Sequence, residues 1–323
     1  MLKRRDLIAG AAALLPTRAL SQQAATFPNK PVRIIVPFAA GGRADAIARL
    51  LAQGLSTQLG QPFVVENRAG GSGSIGADFV AKAPGDGYTL LLASSGVQAI
   101  LPVISKSLPY DSQRDFTPVA LAVESFSFIG IHPDVPAMTL AEFSAYAKAN
   151  ADKLNYASSG VGTYNHFAGE FFNVAAGTRI THIAYRGSGP SVNDLVAGHV
   201  QMMIGGEFLE VAKAGKVRIL ATTNETRWPG LPEIPTMREG GMPEFTAPPL
   251  WFGLIGGPNM PRDVVAKLNE AAAKVVVDPR AREQIEAQGS IPVAISPEAF
   301  TKRIEAERAA FAQVATKTGM KFE

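Results

Sequence analysis

The sequence predicts an α/β protein of two lobes, each a mainly parallel sheet flanked by helices. Three observations carry this expectation. Short apolar runs bounded by Gly, Pro and polar clusters alternate with segments whose apolar residues recur at helical spacing. The alternation comes in two successive series, and strand–helix–strand order implies parallel pairing with right-handed crossovers. A Pro-rich stretch and a run of helices then complete the chain, so the chain is expected to cross between the lobes twice.

The first series places strands at 32–38, 63–67 and 88–94, with helices at 45–59 and 75–82 between them. The second places strands at 126–132, 155–158, 181–185, 200–204 and 217–222, with helices at 140–150, 164–174 and 190–197. Between Pro229 and Pro249 the prolines are interrupted by apolar residues, which predicts an ordered, extended connection. A last strand at 251–255 precedes helices at 261–276 and 297–315, where Pro261 and Pro297 suit first helical turns. The expected division is 22–124 plus 225–323 for lobe 1 and 125–224 for lobe 2.

Residues 1–21 are set apart as an export signal. Lys3, Arg4 and Arg5 precede a short apolar stretch at 7–15, and Ala19-Leu20-Ser21 reads as a small-x-small cleavage box. The apolar stretch is too short for a bilayer, which takes about 20 residues. Arg4-Arg5 resembles a twin-arginine signal, and the general secretory route remains open. The whole net charge of +3 is carried by this segment, because Lys3, Arg4, Arg5 and Arg18 outweigh Asp6. A neutral body argues against nucleic acid as a partner. The absence of cysteine excludes disulfides, thiol nucleophiles and thiolate metal sites.

Ligands of open α/β sheets sit beyond the carboxyl ends of the strands, so the loops leaving the strands are the candidates. In 37–45, Gly41 and Gly42 either let the backbone approach a ligand or simply make a tight turn. Free N–H groups at the following helix start can hold a carboxylate. Asp45 is read as stabilising that start. The literal G-x-G-x-x-G at Gly71, Gly73 and Gly76 is read as a flexible cleft-edge loop. A dinucleotide fold would want an acid at the end of the next strand, which instead ends Ala93-Ser94-Ser95. Ser159, Gly162 and Thr163 supply oxyanion chemistry before a helix, and His166 is either a packed histidine or a ligand contact. After the next strand, Tyr185, Arg186, Gly187 and Ser188 follow the same pattern. Arg186 pairs with a carboxylate if it turns inward and is solvated otherwise. Asp194 fixes this loop or caps its helix, and Glu207 falls at the cleft edge or on the surface. The chain has no G-x-S-x-G elbow, no H-E-x-x-H and no phosphate-binding G-x-x-x-x-G-K-[ST]. His132, His166, His182 and His199 lack metal-ligand spacing.

Several motifs in order resemble one family. They are Pro31-Val32-Arg33-Ile34-Ile35-Val36-Pro37-Phe38 with Gly41-Gly42, Asp45 and Ala48-Arg49; Val65-Glu66-Asn67-Arg68-Ala69-Gly70-Gly71; and Ala83-Pro84-Gly85-Asp86-Gly87-Tyr88-Thr89-Leu90. Tyr185-Arg186-Gly187-Ser188, Asp194-Leu195, Leu231-Pro232-Glu233-Ile234-Pro235-Thr236 and Trp251-Phe252-Gly253-Leu254 complete the set. The mature chain resembles the substrate-binding receptors of tripartite tricarboxylate transporters, also called Bordetella uptake gene (Bug) receptors. The resemblance implies a type II-like periplasmic binding fold that closes on a small organic acid in a cleft between its lobes. It implies a monomeric periplasmic receptor for a membrane permease, with no cofactor, no metal and no catalysis. The alternatives are a sensory binding protein that serves a sensor kinase and an exported enzyme. The candidate ligand-binding residues, of which the resemblance itself points to Phe38–Gly42, Ser159–Thr163 and Tyr185–Ser188, are Phe38, Ala39, Ala40, Gly41 and Gly42, with Ser94 and Ser95 after the third strand. From the second series come Ser159, Gly162, Thr163 and His166, then Tyr185, Arg186, Gly187, Ser188, Asp194 and Glu207. Two places depart from the family pattern: Arg43, where small residues or proline are usual, and 203–210, which is shorter and of different polarity.

Overall fold

The computed structural model describes residues 27–318 apart from 106 and 246, so the expected export segment 1–21 lies outside the described residues. The first series forms β1 (Val32–Val36), α1 (Arg43–Leu59), β2 (Phe63–Asn67), α2 (Ser74–Ala81) and β3 (Thr89–Ser94), as its periodicity predicts. A π-helical turn, Gly96–Ile100, runs into α3 (Leu101–Ile104) and then β4 (Thr117–Ser125). The second series is β5 (Phe128–Ile131), α4 (Leu140–Asn150), β6 (Asn155–Ser158), α5 (Tyr164–Ala176), β7 (Thr181–Ala184), α6 (Ser188–Val196), β8 (Met202–Gly205), α7 (Leu209–Lys213) and β9 (Arg218–Thr222). The chain then adds β10 (Leu250–Gly256), α8 (Arg262–Val277), α9 (Pro279–Ala287), β11 (Ser290–Pro292) and α10 (Pro297–Thr318).

Two sheets result, ordered β11-β4-β10-β3-β1-β2 and β7-β6-β8-β5-β9. They are mixed rather than mainly parallel. β2, β1 and β3 run parallel, as do β7, β6 and β8, but β10, β4, β11, β5 and β9 all pair antiparallel. The crossings explain this. β10 returns from the second series and inserts between β3 and β4, so it runs against both neighbours. β4 and β11 are additions to the expected strands. Pro118 interrupts the apolar run of β4, and it is tolerated because it faces Ile255 where the β4–β10 register slips.

The two crossings lie side by side. The Ser127 carbonyl accepts from the Thr223 amide at 2.8 Å and the Thr222 hydroxyl at 3.0 Å, and the Ser127 amide donates to Asn224 Oδ1 at 3.1 Å. The described part of the Pro-rich stretch is a series of turns rather than the expected extended connection, because its prolines and glycines close local hydrogen bonds such as Leu231 to Trp228 and Gly240 to Thr236. Its Pro235 carbonyl accepts from the Thr222 amide, the Met237 amide donates back to Thr222, and Met237, Phe245 and Ala247 are buried. β3 and β10 are buried along their whole length, which requires apolar residues on both faces. Trp251 of β10 donates through Nε1 to Glu307 Oε2 at 2.6 Å. Arg303 holds the other Glu307 oxygen at 2.8 Å and also pairs with Glu124, so α10 is fastened across β10 and β4.

Beneath the loop that joins β6 to α5 lies a stacked aromatic pile. The His166 and His182 rings are 3.8 Å apart, and Tyr156 stacks 4.9 Å from His182. The Gly162 amide donates to His166 Nδ1 at 3.1 Å, and Ser158 Oγ meets His182 Nε2 at 2.6 Å. Burial pushes both imidazoles down, His166 to about 3 with help from its neighbour and His182 to about 4. Both are therefore neutral at pH 7, and an unprotonated Nδ1 is what the Gly162 amide needs as acceptor.

Two expectations follow from packing and from this pile. A Cβ at Gly54 in α1 would lie 2.5 Å from both methyl carbons of Val275 in α8. Gly54→Ala therefore destabilises by about 1–3 kcal/mol through overpacking, outweighing the roughly 1 kcal/mol gained in helix propensity; a urea denaturation midpoint measures the sign. For the histidines, the unfolded chain takes up protons below about pH 6.5 while the folded chain does not. Their contribution to stability is therefore unperturbed above that pH and is lost progressively down to about pH 3–4. Melting temperatures across pH 7 to 4 fall in the wild type, and His182→Gln flattens part of that fall.

Candidate functional site

Three strands end on loops that each run directly into a helix. β1 leads to α1, β6 to α5 and β7 to α6. The residues preceding these helices are Gly42, Thr163 and Gly187, and none of the three starts has a side-chain cap. An uncapped start leaves amide donors without intrahelical partners, at the positive end of the helix dipole. The three starts open on one cavity of about 210 Å³. Loops of both sheets contribute to it, and Leu250 and Phe252 of β10 form an apolar wall.

Each loop is held by its own hydrogen bonds. In the first, Gly41 adopts φ +86°, which favours glycine, and its amide donates to Asp45 Oδ2 at 3.1 Å. Asp45 also accepts from Arg49 Nε at 2.9 Å and from Asn67 Nδ2 at 3.0 Å, and Asn67 reaches back to the Phe38 carbonyl at 3.1 Å. Burial raises the Asp45 carboxyl, but these donors together with the Arg49 charge outweigh it and hold the group below its ordinary value. Asp45 thus stabilises the helix start, as the sequence reading has it, and leaves the cavity wall to its neighbours.

In the second loop, Thr163 Oγ1 donates to the Gly160 carbonyl at 2.7 Å, and Gly162 takes φ +79°. Ser159 Oγ donates to Asn165 Oδ1 at 3.0 Å, and Asn165 Nδ2 donates to the Ile204 carbonyl at 2.7 Å. The third loop is tied to the second through the Gly187 amide, which donates to the Ser159 carbonyl at 3.1 Å. Tyr185 donates to Asp194 Oδ2 at 2.6 Å behind it. The loop carrying G-x-G-x-x-G sits at the cavity edge, where the Ser72 hydroxyl donates to the Val161 carbonyl across the gap.

The expected residues divide accordingly. Phe38, Ala39, Ala40, Gly41 and Gly42 all line the cavity, as do Ser94, Ser159 and Thr163. Arg186, Gly187, Ser188 and Glu207 line it too, with Arg186 exposed. Five are not on the wall. Ser95 is fully buried beneath the Ser94 turn, Gly162 and His166 belong to the support under the second loop, and Tyr185 and Asp194 brace the third. The wall also includes residues not expected there: Ser72, Tyr164, Asn165, Leu250 and Phe252. Tyr164 and Asn165 precede His166 in the first turn of α5, and only the helix's rotation about its axis decides which of them faces the ligand space. Arg43, set apart in the sequence as a departure from the family pattern, is buried beside the cavity.

A model of the family described as tripartite tricarboxylate transporter family receptor matches residues 47–320. The BugT protein of Bordetella pertussis is 35% identical over 301 residues, spanning 92% of this chain and 92% of its own. A solved R. palustris protein with adipate superposes at a TM-score of 0.87, with 33% identity over 91% of this chain and 99% of that one. The Rhodopseudomonas palustris protein MatC, solved with bound malate, superposes at 0.84 with 30% identity over 89% and 99%. The chain therefore belongs to the tripartite tricarboxylate transporter receptor family, with Bug proteins among its relatives.

Proposed function

We propose that this chain is an extracytoplasmic solute receptor that binds a small organic acid between two lobes and performs no chemistry on it. One lobe comprises 22–124 with 225–323 and the other 125–224, and residues 1–21 direct export to the periplasm and are removed. The receptor acts as a monomer and delivers its ligand to the membrane permease of a tripartite tricarboxylate-type transporter. The observation that carries this reading is the convergence of three uncapped helix starts on one cavity whose walls come from both sheets. Amide donors and helix dipoles oriented this way favour a carboxylate without any need for a cation. The family description and the bound adipate and malate of the two structural neighbours point to the same ligand chemistry. Among the described residues, no helix is long and apolar enough to cross a membrane, which suits a receptor that works beside its permease.

The amide donors that would hold a carboxylate come from Gly42 to Asp45, from Tyr164 and Asn165, and from Ser188 and Gly189. Phe38, Leu250 and Phe252 would cover the carbon skeleton. The side-by-side crossings at Ser127 and Thr223 would serve as the hinge, since both connections bend at one place.

Melting curves of residues 22–323 against mono-, di- and tricarboxylic acids test the reading. An acid that binds only the folded state raises the melting temperature in proportion to the logarithm of its concentration once saturating. No shift with any acid, in protein shown by native mass spectrometry to carry no ligand, would sink it. Ala40 is exposed and lines the cavity. Ala40→Asp places a carboxylate where the ligand's belongs, and affinity should drop by about tenfold or more with the ligand-free melting temperature unchanged. Thr163→Val removes the shortest hydrogen bond to the Gly160 carbonyl, leaving those from Ser158 Oγ and the Thr163 amide, and loosens the second loop, with affinity reduced by about fivefold to tenfold in calorimetric titration.

A further inference from the structure

Arg43 is the first residue of α1, and it is 6% exposed. A cation at a helix N-terminus faces the positive end of the dipole, the less favourable end for it. Its Nη1 donates to the Phe126 carbonyl at 3.3 Å, while Nη2 is buried without a hydrogen-bond partner. Among the described residues Arg43 forms no ion pair. The carboxylate whose charge acts on it is Glu207, whose Oε2 is taken up by the Gly206 amide at 2.9 Å and Asn165 Nδ2 at 3.4 Å. A guanidinium keeps its proton in proteins, so this is a standing, desolvated and incompletely matched positive charge. Arg43 is among the residues that line the ligand cavity and the recess next to it, with its Nη2 buried behind their surface.

The surrounding sequence makes room for it. A Cβ at Gly206 would lie 1.7 Å from Nη2, so the loop that follows β8 omits a side chain where the guanidinium lies. Gly206 falls within 203–210, the stretch that the sequence reading sets apart together with Arg43, and it lies against the Arg43 guanidinium. Tyr164, on the cavity wall, also feels the Arg43 charge. Charges in a site shielded from water interact over several ångströms without contact, because little solvent screens them.

We propose that Arg43 is a specificity-determining residue, whose charge makes the cavity select an acid with a second carboxylate over the corresponding monoanion. This rests on the carboxylate-receptor reading above and adds the ligand's charge to it. The three helix starts hold the first carboxylate. Arg43, only partly offset by Glu207, supplies the field for the second.

The experiment is calorimetric titration of residues 22–323 with unbranched dicarboxylates from succinate to adipate, each beside its monomethyl ester. The wild type should bind at least one diacid about tenfold to a hundredfold more tightly than its ester, the range of a charge-assisted interaction. Arg43→Gln should weaken diacid binding more than ester binding and bring that ratio close to one, and Arg43→Lys, which keeps the charge, should retain most of the ratio. Equal wild-type affinity for diacid and ester overturns the inference and leaves the receptor reading standing. Equal loss for both ligands in Arg43→Gln also overturns it and makes Arg43 a strut. A wild type that binds neither member of any pair overturns the inference, while the receptor reading is decided by the wider panel of acids above. Should Arg43→Gln not fold, the wild-type ratio and Arg43→Lys decide the matter.

Discussion

Every α-helix begins with amide groups that its own hydrogen bonds cannot satisfy. Most sequences meet this need with a Ser, Thr, Asp or Asn side chain at the cap. Here three helices that start at the same cavity have none: Gly42 and Gly187 cannot cap, and Thr163 spends its hydroxyl on the Gly160 carbonyl. The rest of the molecule can be understood as holding these starts in place. The parallel trios β2-β1-β3 and β7-β6-β8 bring the strand ends to the two sides of the cavity. The Asp45–Asn67 tie fixes the first loop, and the Gly187 to Ser159 hydrogen bond fixes the second to the third.

The support is built from groups that keep one charge state. Asp45 remains ionised because Arg49, the Gly41 amide and Asn67 all favour its charged form against the cost of burial. His166 and His182 remain neutral because burial disfavours theirs, and the Gly162 amide needs a lone pair on His166. The scaffold around neutral pH thus contains fixed polar partners, and the variable charge is left to the ligand. Arg43 is the exception, with a buried charge whose match inside the protein is incomplete.

Much of this was legible in the sequence, and for identifiable reasons. The runs at 32–36, 63–67 and 89–94 are apolar and bounded by Pro, Gly or polar clusters, so their strands stand out. The glycine and hydroxyl residues after β1, β6 and β7 mark loops whose backbone approaches a ligand. β4 was hidden because Pro118 and Glu124 break its apolar run, and the pairing that tolerates Pro118 is set by β10, over a hundred residues on. The wall residues Leu250 and Phe252 were hidden for the opposite reason. All of β10 is buried, so alternation cannot say which face meets the cavity. His166 and Asn165 are neighbours on one helical turn, and a rotation of 100° exchanges support for wall. Arg43 and the stretch 203–210 stood out as departures, but that the Arg43 guanidinium fills the space left by Gly206 is visible only in three dimensions.

The most direct measurement is a crystal structure of residues 22–323 grown with an organic acid that stabilises the protein. The account predicts a carboxylate within hydrogen-bond reach of backbone amides at the starts of α1 and of α5 or α6, with Phe252 against the carbon chain. An acid seated elsewhere, for example in the recess bounded by Thr223, Arg238 and Arg303, with these amides facing only water, would contradict it.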